Sequence, residues 1–173
     1  MAGSPAAEEW FDIVDEQDAV VSRATRREVH ARGLRHRAVH VLVFNRAGEL
    51  FLQKRSLNKD TAPGAWDSSA SGHLGAGEDY DACAVRELRE EIGLSPPAPP
   101  ARRLRLTACA DTGQEFVWVY RVDAEGPFTL HPDEIERGAW WTPADIDRAL
   151  DERPGDFAAS FRLIWRMLPH PRS

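Results

Sequence analysis

Residues 72–94 read GHLGAGEDYDACAVRELREEIGL. A glycine-rich loop runs into a stretch of helix formers and stops at Gly93, a residue type that accepts the left-handed conformation of a helix C-terminus. Ala84, Leu88 and Ile92 recur at i, i+4 and i+8 and are expected to face a core. Glu87, Glu90 and Glu91 are i, i+3 and i+4 neighbours, so they share one stripe of the helix. Three carboxylates within one turn repel one another. Such a stripe is either a solvated acidic face, offset by Arg86 and Arg89, or a seat for a hard divalent cation. Mg²⁺ suits it, because it takes oxygen ligands, keeps several waters and is commonly shared with substrate phosphates.

The same stretch satisfies G-x5-E-x7-R-E-(aliphatic)-x-E-E-x-G-(aliphatic) at Gly72, Glu78, Arg86, Glu87, Leu88, Glu90, Glu91, Gly93 and Leu94. This is the Nudix box, and the chain resembles the Nudix hydrolases. The resemblance implies an α/β (α+β) Nudix fold, a mixed β-sheet sandwiched between helices. It also implies hydrolysis of a diphosphate linkage with Mg²⁺ or Mn²⁺. By the same resemblance Glu87, Glu90 and Glu91 are metal ligands, the carbonyl of Gly72 adds another, and Arg86 orients a neighbouring glutamate. Glu78 reads as structural, at a helix start where negative charge is favoured. The general base is open between a box glutamate, best Glu87, and an acid from a later loop, Glu134 or Asp133. The plainer reading of that loop is an exposed acidic turn.

A narrower resemblance covers residues 10–125. LQKRSLNKDTAPGAWDSSASGH and the H-R-A of 36–38 are similar to isopentenyl diphosphate isomerases. Those enzymes share the fold but move a proton on carbon, with a metal site of histidines and glutamates and a cysteine just before G-H. Here His30, His36, His73 and Glu115 approximate that metal set. Ser71 stands at the cysteine position and Gly113 at a second glutamate. The box is also complete, which favours hydrolysis. If the histidines and Glu115 converge, they suit Zn²⁺ or another transition metal; the plain alternative is separate surface histidines. A third reading, a diphosphate-binding module without catalysis, lacks its usual sign, since no box carboxylate is lost.

Other candidates are less specific. Arg55 and Lys59 flank the loop before Trp66 and are read either as a grip on the diphosphate or as surface charge. Backbone amides around Gly72, Gly75 and Gly77 precede the helix and are candidates to face phosphate. Trp66, Trp118, Trp140 and Trp141 are candidates to stack a base, with core packing the alternative. Cys83 reads as a small packing residue rather than a nucleophile.

At 173 residues and 42% hydrophobic, the chain suits one domain, 10–168, between flexible tails 1–9 and 169–173. A net charge of −6 argues against general nucleic-acid binding but not against a small diphosphate substrate. Two cysteines imply no disulfide framework. No apolar run approaches a membrane span, and MAGSPAAEEW has neither the basic start nor the apolar core of an export signal, so a cytoplasmic protein is expected. A homodimer is compatible with all of this. Strands are expected over 11–21 (two, around an acidic turn), 36–45, 49–55, 67–74, 103–111, 115–123 and around 139–143. Residues 22–35 read as a helix or extended arm, and helices close the chain at 143–152 and 156–168.

Overall fold

The computed structural model describes residues 7–169. Most of the two expected tails therefore lies outside the described residues. Glu9, assigned to the first tail, is tied down: its carbonyl accepts from Arg26 N at 2.9 Å and its carboxylate pairs with the Arg26 guanidinium at 2.9 Å.

Among the described residues nine strands and four α-helices follow one another. They are β1 (Trp10–Val14), β2 (Val20–Thr25), α1 (Arg26–Arg32), β3 (His36–Phe44), β4 (Leu50–Arg55), β5 (Trp66–Asp67), β6 (Ala70–His73), α2 (Tyr80–Ile92), β7 (Ala101–Leu106), β8 (Glu115–Asp123), β9 (Ile135–Trp141), α3 (Pro143–Glu152) and α4 (Ala159–Met167). β1 and β2 form a separate antiparallel hairpin. The other seven strands make one mixed sheet, in which β3 lies parallel to β8 along its whole length.

The β3–β4 hairpin is paired only at its closed end, Val43 with Phe51 and Phe44 with Leu50. Beyond that the strands diverge, and β6 pairs with β3 over Ala38–Val41 while β4 turns to β9 and β5. Divergence leaves backbone groups unpaired at the fork. The buried Ser69 hydroxyl satisfies two of them, donating to Phe51 O and accepting from Val43 N. The fork therefore sets β6, and the loop that follows it, at the open corner of the sheet.

Alternation along the strands gives the sheet two covered faces. Val39, Val41 and Val43 pack with Ala84, Leu88 and Ile92 of α2, as the helical period predicts. Ala38 and Leu42 pack on the opposite side with Ile146 of α3 and Phe161, Ile164 and Trp165 of α4. The sheet is thus sandwiched between helices. A smaller cluster of Phe11, Ile13, Ala24 and Val29 joins the hairpin to α1.

Several boundaries differ from the sequence reading. Residues 22–25 belong to β2, and helix starts only at Arg26, behind a Thr25–Glu28 capping box. β7 ends at Leu106 rather than 111, because Cys109–Gly113 close a turn around the Thr112 hydroxyl. β9 is longer than its apolar residues suggest: its exposed Arg137 pairs with Lys54 of β4 and Ile135 with Arg55, with Glu136 at the irregularity between them. α4 starts at Ala159, after a 3₁₀ turn at Pro154–Asp156.

Candidate active site

α2 is fixed at both ends before its carboxylates do anything. Asp79 caps it by accepting from Ala82 N at 2.8 Å, and Gly93 closes it at φ 67°. Near its end Glu87 and Glu91 are buried and Glu90 is exposed. Glu91 accepts from Ser71 N at 2.7 Å and Gln53 Nε2 at 3.2 Å. Arg86 holds the group together. Its Nε and Nη2 bind the two oxygens of Glu78 at 2.8 and 2.9 Å, and its Nη1 reaches Glu87 at 2.8 Å and Glu90 at 3.0 Å. Nη2 also donates to His73 O at 3.0 Å, which ties α2 to β6. Glu87 lies so close to β6 that a Cβ added at Gly72 would sit 2.1 Å from its Oε1. Glycine at 72 is thus a steric requirement of the carboxylate behind it.

Burial pushes the Glu87 carboxyl up to about 8, with Glu91 and Glu90 adding repulsion and Arg86 opposing. Burial likewise pushes Glu91 up to about 7, against the hydrogen bonds from Ser71 and Gln53. Arg86 is held charged by its hydrogen bonds to Glu78 and by the box carboxylates. Three hard oxygen donors in one turn, two of them buried with too little positive charge nearby, fit a divalent ion of the Mg²⁺ or Mn²⁺ type.

These residues open on a cleft of about 1030 Å³, which is also lined by Arg55, Lys59, His131 and Glu134. Arg55 and Lys59 reach the cleft but are engaged there. Arg55 bonds Asp67 Oδ2 at 3.2 Å and the Thr61 carbonyl at 3.1 Å, and Lys59 forms an ion pair with Glu134. Of the two loop acids, Glu134 lines the cleft and Asp133 does not. The glycine-rich loop departs from expectation. Gly75 N donates to Glu78 Oε2, Ala76 N to Trp10 O and Gly77 N to Asp12 Oδ2, so these amides fasten the loop to its own chain instead of facing phosphate.

His30 of α1, His36 of β3 and His73 of β6 converge, each offering a ligand atom within 4.8 Å of the others. Glu115 of β8 joins them, its Oε1 lying 2.7 Å from His73 Nε2 and 3.4 Å from His36 Nε2. A carbonyl cannot donate, so the 2.8 Å contact of His36 Nδ1 with Leu34 O places a proton on Nδ1. The buried Nε2 is left without a hydrogen-bond partner and aimed into the cluster. Such a donor set fits a transition metal. Cys83 is fully buried; burial drives its thiol upward despite Arg86 Nη2 at 3.5 Å, so it packs as expected although a cation is near.

A model of the NUDIX domain matches residues 34–161. An uncharacterised Nudix hydrolase of Yersinia pestis is 36% identical, over 92% of this chain and 88% of its own length. The chain belongs to the Nudix hydrolases. YfcD of Escherichia coli K12, also an uncharacterised Nudix hydrolase, is 33% identical over 91% of this chain and 87% of its own. The crystal structure of DR0079 from Deinococcus radiodurans superposes with a TM-score of 0.81 at 27% identity, covering 94% of this chain and 100% of that one. The NUDIX domain of Shewanella oneidensis NrtR, solved with ADP ribose, gives 0.59 at 16% identity over 83% of this chain and 96% of that one, a likeness of fold alone. Nudix hydrolases act on small molecules, generally with divalent metals. Among the described residues no helix is long and apolar enough to cross a membrane.

The four tryptophans proposed for base stacking are placed elsewhere. Trp66 packs edge-on against Trp141, Trp140 against Phe51, and Trp118 lies under the Arg102 guanidinium; none of the four lines the cleft of this Nudix hydrolase. Two further groups, His40 on the cleft and Asp60 in the loop after β4, escaped the sequence reading. Buried His40 binds Ser68 Oγ at 2.8 Å and lies opposite Ser71 in the β3–β6 ladder, and burial keeps it neutral. Asp60 bonds Arg26 and stands 3.4 Å from His30, joining the loop after β4 to α1. Cross-strand register and loop-to-helix contacts carry no local sequence signal.

Proposed function

We propose that this Nudix hydrolase cleaves the diphosphate linkage of a small molecule, a nucleoside diphosphate joined to another group, with residues 10–168 acting as one unit. The observation that carries the reading is the buried pair at the wall of an open cleft, Glu87 clamped by Arg86 and Glu91 held by Ser71 N and Gln53. In this reading Glu87, Glu90, Glu91 and the Gly72 carbonyl hold Mg²⁺ or Mn²⁺. When bound, the ion polarises a phosphoryl oxygen and sharpens a water as nucleophile. Arg86 keeps Glu87 and Glu90 in position and stays protonated throughout. Either Glu87 or Glu134 takes the proton of the attacking water. Glu134 is supported by its place on the cleft and by Lys59, which counters the upward push of burial and keeps it ionised. Arg55 and Lys59, which line the same cleft, meet the phosphates.

The convergence of His30, His36, His73 and Glu115 supports a second metal site, for Zn²⁺ or a related ion, on the same cleft. An isomerase of the isopentenyl type also draws support from that cluster, but Ser71 argues against it. A thiol ionises near a reference pKa of about 8.5, whereas an alcohol needs a dedicated base to act. The test is a panel of diphosphates incubated with Mg²⁺ or Mn²⁺ and scored for cleavage, beside deuterium uptake from D₂O into isopentenyl diphosphate. Cleavage without uptake is expected. Uptake by the unmodified protein would overturn the reading.

A further inference from the structure

The chain has six tryptophans. Trp66, Trp118, Trp140 and Trp141 pack within the sheet and Trp165 within the α4 core. Trp10 differs: it is 50% exposed and lines the cleft beside Glu9, Arg26 and the loop 75–77. An aromatic left half in water keeps apolar surface that a flat apolar ligand would cover.

The backbone beneath Trp10 is held on two sides. It pairs with Thr25 in the hairpin, and its carbonyl accepts from Ala76 N at 2.8 Å. That second bond joins it to the box loop. From Ala76 the connection continues through Gly75 N to Glu78, from Glu78 to Arg86, and from Arg86 to Glu87 and Glu90. Trp10 is therefore fixed relative to the carboxylates that face the diphosphate. Its neighbour Phe11 points the other way, stacking at 5° on His36, so the alternation of β1 separates the exposed indole from the histidine cluster.

We propose that Trp10 is the platform on which the base of a nucleoside diphosphate stacks while its phosphates lie against the α2 carboxylates. The proposal rests on the hydrolase reading and adds the residue that holds the base at that site. Stacking is tolerant of sequence because every base has a π-face, so purine and pyrimidine nucleotides both qualify.

The experiment compares the native chain, Trp10→Ala and Trp10→Phe on ADP and CDP against inorganic and methyl diphosphate, all with Mg²⁺. Trp10→Ala should raise KM for ADP and CDP about tenfold, within the range alanine substitution gives for base–aromatic stacking. Its kcat should stay within about twofold and the base-free diphosphates should be unaffected, as expected for a contact made equally in ground and transition states. Trp10→Phe should recover most of the loss and serves if the alanine variant folds poorly. Fluorescence gives a readout without turnover: ADP added to Glu90→Gln with Mg²⁺ should quench emission, and Trp10→Phe in that background should remove the quench. Turnover with unchanged KM in both Trp10 variants would overturn the stacking site and leave the hydrolase standing. Absence of turnover on every substrate, with Trp10-dependent quenching retained, would sink the hydrolase reading and keep the stacking site.

Discussion

Gly72 and His73 are consecutive residues of β6, and they border two different clusters. Gly72 pairs with Val39 and backs onto Glu87 on the α2 side; His73 pairs with Ala38 and turns to His36 and Glu115 on the other side. The α2 cluster comes from one turn of one helix, so helical geometry alone brings its three carboxylates together. The histidine cluster comes from α1, β3, β6 and β8, and it depends on the register of both ladders. A one-residue slip of β6 would carry His73 to the α2 face and dismantle it. Their electrostatics are opposed as well. Burial drives Glu87 and Glu91 upward with little compensation, whereas His73 and His36 overcome the burial of Glu115 and hold it well below the usual carboxylate range. One cluster is a hard, under-neutralised oxygen site; the other is a mixed nitrogen–oxygen site.

The sharpest separation of the two is Glu90→Gln. Glu90 is exposed and, among the described residues, pairs with Arg86, so stability should move by less than about 0.5 kcal/mol. Hydrolysis should fall by at least about 10²-fold, as for loss of a group that stabilises developing charge. Zn²⁺ binding at the histidines, followed by calorimetry, should not change. Near-native turnover at saturating Mg²⁺ would remove Glu90 from the metal site.

Gly72→Ala places a methyl group against Glu87 and should displace the carboxylate. The expected loss is roughly 10–100-fold in kcat, the scale of a misplacement of about an ångström. His73, one residue on, should keep its metal affinity; a parallel loss there would mean that the two faces of β6 are not independent.

His73→Ala attacks the other side. Zn²⁺ or Co²⁺ affinity should drop at least tenfold, read as loss of the Co²⁺ absorption bands, while Mg²⁺-supported hydrolysis falls by less. A larger loss of hydrolysis than in Gly72→Ala would make the histidine cluster the catalytic one.

The smallest effect is in pH. Glu87 and Glu91 rise from 4.5 to about 8 and about 7 in the folded chain. The fold therefore binds more protons than the unfolded chain across that window, and metal-free stability should decline as pH climbs from about 4.5 to 8. Tm should be a few degrees lower at pH 8 than at pH 6, and Mg²⁺ should cancel most of the difference. A flat metal-free profile would mean that the carboxylates are better compensated than their burial implies.

The contrast also explains what could be read without coordinates. The helix, its Gly93 cap, the core line Ala84–Leu88–Ile92 and the box carboxylates all lie within 72–94, where local periodicity carries the signal. The histidines and Glu115 could be nominated, but only the β3–β6 and β3–β8 ladders bring them together. His40, Asp60 and Trp10 went unnoticed because their significance lies in what stands across a strand or at a cleft mouth. The glycine loop was misread for a related reason: Asp12 and Trp10, which occupy its amides, lie more than sixty residues away in sequence.

The central claim is that the α2 carboxylates support attack of water on a diphosphate. It is tested most directly by cleavage of ADP and CDP in H₂¹⁸O with Mg²⁺, native chain beside Glu90→Gln, with the phosphate products weighed by mass spectrometry. The account predicts one ¹⁸O in a phosphate product of the native chain and almost no product from the variant. Label incorporated at equal rates by both proteins would contradict it.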